Sequence, residues 1–159
     1  MLTDVVARVV AQPFFAGLPS GLLRELCTFG APATFPAGTR IFAEGQPADA
    51  FWLLEQGHVA LDLHVPGGGD QVLETIGAGT VLGWSWLCPP YRWQFGAVTR
   101  EPVTAIGFDA VALRRRCDAD PELGYALLRR FTPVIVDRMQ AARLRLLDLW
   151  GSPAREVAP

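Results

Sequence analysis

The sequence predicts an α+β domain: an antiparallel β-roll, jelly-roll-like, flanked by N-terminal helices and a long C-terminal helix. Three observations carry this. Up to Phe29 apolar residues recur at helical spacing. From Phe35 to Asp109, short runs rich in Val, Ile, Leu and aromatics are separated by Gly or Pro at roughly ten-residue intervals. After Asp109 the strand signals stop and helical spacing returns. At 159 residues the chain is long enough for one domain with a core and too short for two ordinary ones. The reading is therefore a single unit over 1–151, comprising a helical lead-in (1–34), the roll (35–109) and C-terminal helices (110–151), with 152–159 as a tail.

Each element has its own signal. Leu2 to Val10 and Ser20 to Phe29 read as helices, the second burying Leu22, Leu23, Leu26 and Phe29 behind an N-cap at Ser20. Phe14 to Pro19 breaks the pattern as a turn. Strands are expected at Arg40–Phe42, Phe51–Gln56, His58–Val65, Gln71–Ile76, Gln94–Thr99 and Val103–Asp109, with turns at Gly38, Gly45, Gly57 and Gly67-Gly68-Gly69. A helix follows from Asp118 to Arg130, and Thr132 then Pro133 reads as an N-cap with proline at the first helical position, starting a last helix that runs to Trp150. Along it Leu128, Ile135, Ala142 and Leu149 recur at sevens, with Met139 and Leu146 between them. This is a coiled-coil-like seam, about 27 Å long at 1.5 Å per residue. Spacing alone admits two readings: a helix packed on its own roll, or one paired with a second copy. Gly, Pro and mixed charge after Trp150 predict a frayed tail.

Composition narrows the function classes. Half the residues are hydrophobic and the mean hydropathy is +0.24, which leaves apolar surface to bury in self-association. A net charge of −2 supplies no global field for nucleic acid. All fourteen basic residues are arginine, from which no function follows. Arg114-Arg115-Arg116 and Arg129-Arg130 read as solvated helix faces that could serve a partner protein. Cys27, Cys88 and Cys117 are scattered, which fits small core residues in a reducing cytosol. The first residues show no secretion signal and no stretch reads as a membrane span, so a cytoplasmic location is expected.

The segment from Phe35 to Leu61, punctuated by Gly38, Gly45 and Gly57, resembles the opening of the effector domain of Crp/Fnr-type regulators. The likeness to this cyclic nucleotide-binding domain family runs from about Phe14 to Gly151. The stretch from Val81 to Thr99 stands where the family keeps its phosphate-binding cassette. The resemblance implies that Gly83 and Ser85 offer backbone N–H groups to a cyclic phosphate. It implies that the residue now Trp84 is an acid accepting from a ribose hydroxyl, and that an arginine pairs with the phosphate. Trp84 has no such acceptor. Arg92 is the available arginine, but counting back from Glu101-Pro102 it lies one residue from the usual place, which Trp93 occupies; on a strand one residue reverses the face. The candidate ligand-binding residues are Gly83, Trp84, Ser85, Arg92 and Trp93. The resemblance also favours dimerisation through Leu128, Ile135, Met139, Ala142, Leu146 and Leu149.

Beside this stands a purely structural reading, in which Trp84, Trp86, Tyr91 and Trp93 fill the would-be pocket. A cupin-like metal site is disfavoured because the two histidines, His58 and His64, are six apart and have no third. No Gly-x-Ser-x-Gly elbow is present, and the glycine triplet lacks the lysine and helix of a P-loop. Nine residues after Trp150 are too few for a helix-turn-helix, so direct DNA reading is not expected. The expectation is a stand-alone, non-enzymatic, homodimeric sensor module. It would bind cyclic AMP or another small effector and signal to a separate protein. The alternative is a ligand-free interaction scaffold.

Overall fold

The computed structural model describes residues 1–151; the expected frayed tail, 152–159, lies outside the described residues. Helices α1 (Leu2–Val10) and α2 (Ser20–Cys27) precede eight strands: β1 (Gly30–Phe35), β2 (Arg40–Phe42), β3 (Ala50–Gln56), β4 (Val59–Val65), β5 (Gly69–Ile76), β6 (Val81–Leu82), β7 (Gly96–Thr99) and β8 (Val103–Asp109). Helices α3 (Ala110–Ala119) and α4 (Pro121–Gly151) follow. The strands form two antiparallel sheets in the orders β1-β8-β3-β6 and β2-β7-β4-β5. One hydrophobic core joins both sheets to the helices. The expected roll with flanking helices is the fold.

Several elements differ from the sequence reading. Strand β1 lies within the expected helical lead-in and pairs along its length with β8, from Gly30 opposite Phe108 to Phe35 opposite Val103. It is an edge strand, mostly exposed, so it lacks the alternation that betrays a half-buried strand, and Pro32 is tolerated there. Strand β6 has two residues, both buried, too few to show a period. Helix α2 starts one residue early, because Leu23 N donates to Pro19 O, so Ser20 is its first residue rather than its N-cap. It ends at Cys27, where Thr28 Oγ1 donates to Glu25 O at 2.6 Å.

The C-terminal helices also break elsewhere. Asp109 caps α3 by accepting from Ala112 N at 3.0 Å. Asp120 then accepts from Glu122 N at 3.2 Å, with Pro121 in the first helical position of α4. The start-signal expected at Thr132-Pro133 is not a start: α4 runs through Pro133. Pro133 removes one helical donor, but Leu123, Leu127, Phe131 and Val134, spaced along one face, are buried on both sides of it. Thr132 Oγ1 meanwhile donates to Leu128 O at 2.6 Å. Tertiary burial outweighs the local signal for a fresh start.

The centre of the core is aromatic. Phe51 of β3 stacks on Phe108 of β8 at 4.6 Å and on Trp86 at 5.0 Å, and meets Phe131 of α4 edge-on at 5.0 Å. Phe131 in turn touches Phe14 at 5.4 Å. Sheet, cassette, α4 and the lead-in thus share one cluster. In the second sheet, Arg40 of β2 makes a bidentate pair with Asp62 of β4, at 2.7 and 2.9 Å, beside Gly96, where an added Cβ would strike both partners. Burial pushes the Cys27 and Cys117 thiols up to about 11, which keeps them protonated and unreactive near neutral pH.

Replacing Pro133 by alanine restores a helical donor in a helix that is already held in place. We expect P133A to raise the stability of the folded state by about 1–3 kcal/mol, measured as a higher denaturation midpoint at unchanged m-value.

Candidate functional site

Strand β6 delivers Gly83 into the core with φ +91°, a conformation that side chains on Cβ disfavour. Ser85–Leu87 form a single 3₁₀ turn. The chain then passes Pro89-Pro90, joined by a cis bond, and Tyr91, whose φ is +56°. From there it runs beside residues 45–48: Ala48 N donates to Tyr91 O, Trp93 N to Gln46 O, and Gly45 N to Trp93 O, each at 2.8–2.9 Å. This pairing displaces the start of β7 from the expected Gln94 to Gly96. It also sets the parity of the strand, with Trp93 and Phe95 inside and Arg92 and Gln94 outside.

The indole of Trp93 fills the space beside Gly83. A Cβ on Gly83 would lie 2.7 Å from the Trp93 ring, so the bare glycine is what admits the indole. On its far side Trp93 stacks on Phe42 at 3.9 Å, with planes 13° apart, and a third ring, Trp52, lies 6.1 Å away. Arg92 is exposed, and its Nη1 donates to Gly45 O at 2.9 Å. A one-residue difference in strand position therefore decides that an indole, and not a guanidinium, faces Gly83.

Three consecutive residues of the cassette each carry a buried polar atom with no protein hydrogen-bond partner: Trp84 Nε1, Ser85 Oγ and Trp86 Nε1. Such orphans are few in native proteins and each is costly. Trp86 is fully buried against Phe51, and its carbonyl accepts from Arg114 Nη1 at 2.7 Å while the Arg114 guanidinium sits 4.0 Å over the Tyr91 ring. Trp84 is half-buried and lies 6.3 Å from Phe95.

Beyond Trp84 an open groove of about 340 Å³ separates the second sheet from α4. It is lined by Leu61 of β4 and Leu73 of β5, by Trp84 and Phe95, and by Ile135 and Met139 of α4. Arg138 also lines it and is held by Glu74, with Nη1 at 3.2 Å from each carboxylate oxygen.

The structure thus gathers Gly83, Trp84, Ser85 and Trp93 and turns Arg92 away. Of the helix residues, Leu128, Met139, Leu146 and Leu149 are exposed, while Ile135 and Ala142 are half-buried and line the groove. Sequence reading did not single out Phe42 and Trp52, which cluster with the cassette indole, or the groove residues Leu61, Leu73 and Arg138. Phe42 and Trp52 sit on expected strands, but nothing local says which rings meet. His58 Nδ1 contacts Glu101, and His64 Nδ1 lies 3.0 Å from Asp70, all four on the surface. Among the described residues no group of three or more His, Cys, Asp or Glu could hold a metal ion.

Comparison with known proteins agrees with this architecture. The family model for the cyclic nucleotide-binding domain matches residues 32–120. The CRP-like cAMP-activated global transcriptional regulator of Mycobacterium tuberculosis is 29% identical over 148 residues, which are 93% of this chain and 63% of that protein. The chain thus spans a little under two thirds of the length of the curated relatives it matches. A structure from Geobacter metallireducens GS-15, provisionally assigned as a cyclic nucleotide-binding protein, superposes with a TM-score of 0.76 at 26% identity, covering 84% of this chain and 96% of that one. A cyclic nucleotide-binding domain from Methylobacillus flagellatus KT shares the fold at TM-score 0.75 and 21% identity, over 99% of this chain and 86% of that one.

The Gly83–Trp93 contact makes a coupling measurable. Gly83→Ala is expected to cost about 2–4 kcal/mol in the native background, from the left-handed backbone and the clash together. In a Trp93→Ala background the clash is gone, and a double-mutant cycle by chemical denaturation should return a coupling of about 1–2 kcal/mol.

Proposed function

The chain belongs to the cyclic nucleotide-binding domain family, and from that premise we propose that it is a regulatory sensor module whose effector is something other than a cyclic nucleotide. The observation that carries this reading is the Trp93 indole against Gly83. A cyclic phosphate keeps its charge, so its burial requires paired donors and a cation. Here the cassette presents an aromatic ring at that place, and the cassette arginine bonds a carbonyl on the outside. The only polar side-chain group of Trp84 is an N–H donor, so it cannot accept from a ribose hydroxyl.

The output of the module is the pose of α4. Phe131 meets both Trp86 and Phe51 edge-on, so a shift of the cassette is felt directly by the helix. A ligand acts on such a pair only through its different affinity for two arrangements. The exposed apolar residues Leu128, Met139, Leu146 and Leu149 of α4, with Val136 and Leu147 beside them, are read as the seam of a homodimer. A separate protein would receive the signal. We read the module as non-enzymatic and cytoplasmic, binding neither DNA nor membrane. In support, its two histidines are exposed against carboxylates, outside the groove lining, and no described helix is long and apolar enough to cross a membrane.

A second reading, a dimeric scaffold without any effector, is favoured by the same filled cassette. The two part over the groove, since a scaffold has no use for it.

Isothermal titration with cyclic AMP and cyclic GMP at millimolar ligand should give neither heat nor a rise in melting temperature; a saturable signal from either nucleotide would overturn the reading. Sedimentation equilibrium should show a dimer, and Leu146→Glu, which places a charge in the seam, should give a folded monomer with the same circular dichroism.

A further inference from the structure

We propose that a cavity bounded by the cassette turn, α3 and the first part of α4 is a separate binding site, and that it takes a free amino acid with an apolar side chain. It is not the groove beside the second sheet, and it goes beyond the sensor reading above, which stands without it. Leu87 and Tyr91 of the cassette, Arg114 and Asp118 of α3, and Tyr125 and Leu128 of α4 line it. Its volume, about 310 Å³, stands at the lower end of small-molecule sites, roughly 300–1,000 Å³.

The lining carries two opposite charges that are not paired with each other. Arg114 and Asp118 stand one turn apart on α3, a spacing at which side chains meet. Two residues on, Arg116 and Asp120, at the same spacing and in the same order, do pair, at 3.5 Å. Arg114 is instead drawn aside: its Nη1 donates to Trp86 O at 2.7 Å, and its guanidinium lies 4.0 Å over the Tyr91 ring. Among the described residues neither Arg114 nor Asp118 has an ion-pair partner, and the Arg114 Nε and Nη2 groups have no acceptor. Tyr91 is held beneath the guanidinium by a backbone with φ +56°, the one positive φ at a residue other than glycine among the described residues. Such a conformation is unfavourable for a bulky residue, and strain of this kind recurs at ligand clamps.

A fixed guanidinium with free donors suits a carboxylate, and an unpaired carboxylate suits an ammonium group. An anion alone would meet Asp118, and a cation alone would meet Arg114. A molecule bearing both charges satisfies the pair. Leu87, Tyr91, Tyr125 and Leu128 supply an apolar wall, of which Tyr125 and Leu128 are exposed in the single chain. Covering them favours an apolar side chain on the ligand. The occupant touches the cassette turn and α4 together, beside the contact of Trp86 with Phe131. Leu128 is shared with the proposed seam, so the test is made on the protein in its native assembly.

That protein is titrated with L-phenylalanine, 3-phenylpropionate, 2-phenylethylamine and glycine, and binding is read by ¹⁵N–¹H NMR of the backbone amides. Phenylalanine is expected to bind about tenfold tighter than each of the other three. It should move the amides of Leu87, Tyr91 and Gly124 and leave those of Leu61 and Leu73 in place. Asp118→Asn, at an exposed position, should bring phenylalanine down to the affinity of phenylpropionate. Arg114→Gln should bring it down to that of phenylethylamine; since this change also removes the bond to Trp86 O, its fold is checked by near-UV circular dichroism, and Asp118→Asn carries the test if it fails. Phenylpropionate or glycine binding as tightly as phenylalanine, an unchanged affinity in Asp118→Asn, shifts confined to the groove, or no binding of phenylalanine at millimolar concentration would each overturn the inference. None of these outcomes bears on the nucleotide titration or the dimer measurement.

Discussion

Phe51 is the ring on which the rest of the molecule is assembled. It is fully buried in β3, stacked between Phe108 and Trp86, and capped edge-on by Phe131. Those partners come from the neighbouring strand, the cassette turn and α4, elements otherwise far apart in the chain. Aromatic pairs of this kind bury large area and add orientation-dependent attraction. The cluster therefore fixes where the cassette and α4 sit relative to each other. It also explains why α4 runs through the start signal at Thr132-Pro133 without a break: the buried face runs through that point.

The cassette is built around a glycine and an indole. Gly83 adopts the left-handed conformation and admits a close approach, and the group that approaches is the Trp93 ring. Phe42 stacks on the indole at 3.9 Å, and Trp52 lies about equally far from both rings, at 5.9 and 6.1 Å, so the cluster draws on both sheets. Polar atoms then become the exception in a hydrophobic neighbourhood, and the three orphans at Trp84, Ser85 and Trp86 mark where the local polarity is unsatisfied.

Helix α4 has two apolar faces. Leu123, Leu127, Phe131 and Val134 are buried on the roll, while Leu128, Met139, Leu146 and Leu149 are exposed. The sequence reading saw the second set as a heptad seam and left open whether it packed on its own roll. In the structure the roll is served by other residues, and only Ile135 and Ala142 of the seam turn partly inward, toward the groove.

The sequence alone determined the architecture. Periodicity and punctuating glycines located six of the eight strands and the flanking helical regions, because half-buried strands and amphipathic helices write their burial into the order of residues. It also raised the decisive question about Arg92 and Trp93, since strand parity is a local property. What it left undecided were elements whose placement depends on distant partners: β1, held by β8; β6, two residues on β3; and the passage of α4 through Pro133. Tertiary structure alone decided the site, because parity says that Arg92 and Trp93 face opposite ways but not which way is inward. That choice was made by pairing with residues 45–48 and by Phe42 and Trp52 closing on the indole. Such contacts span forty to fifty positions of chain, a distance over which no local pattern carries information.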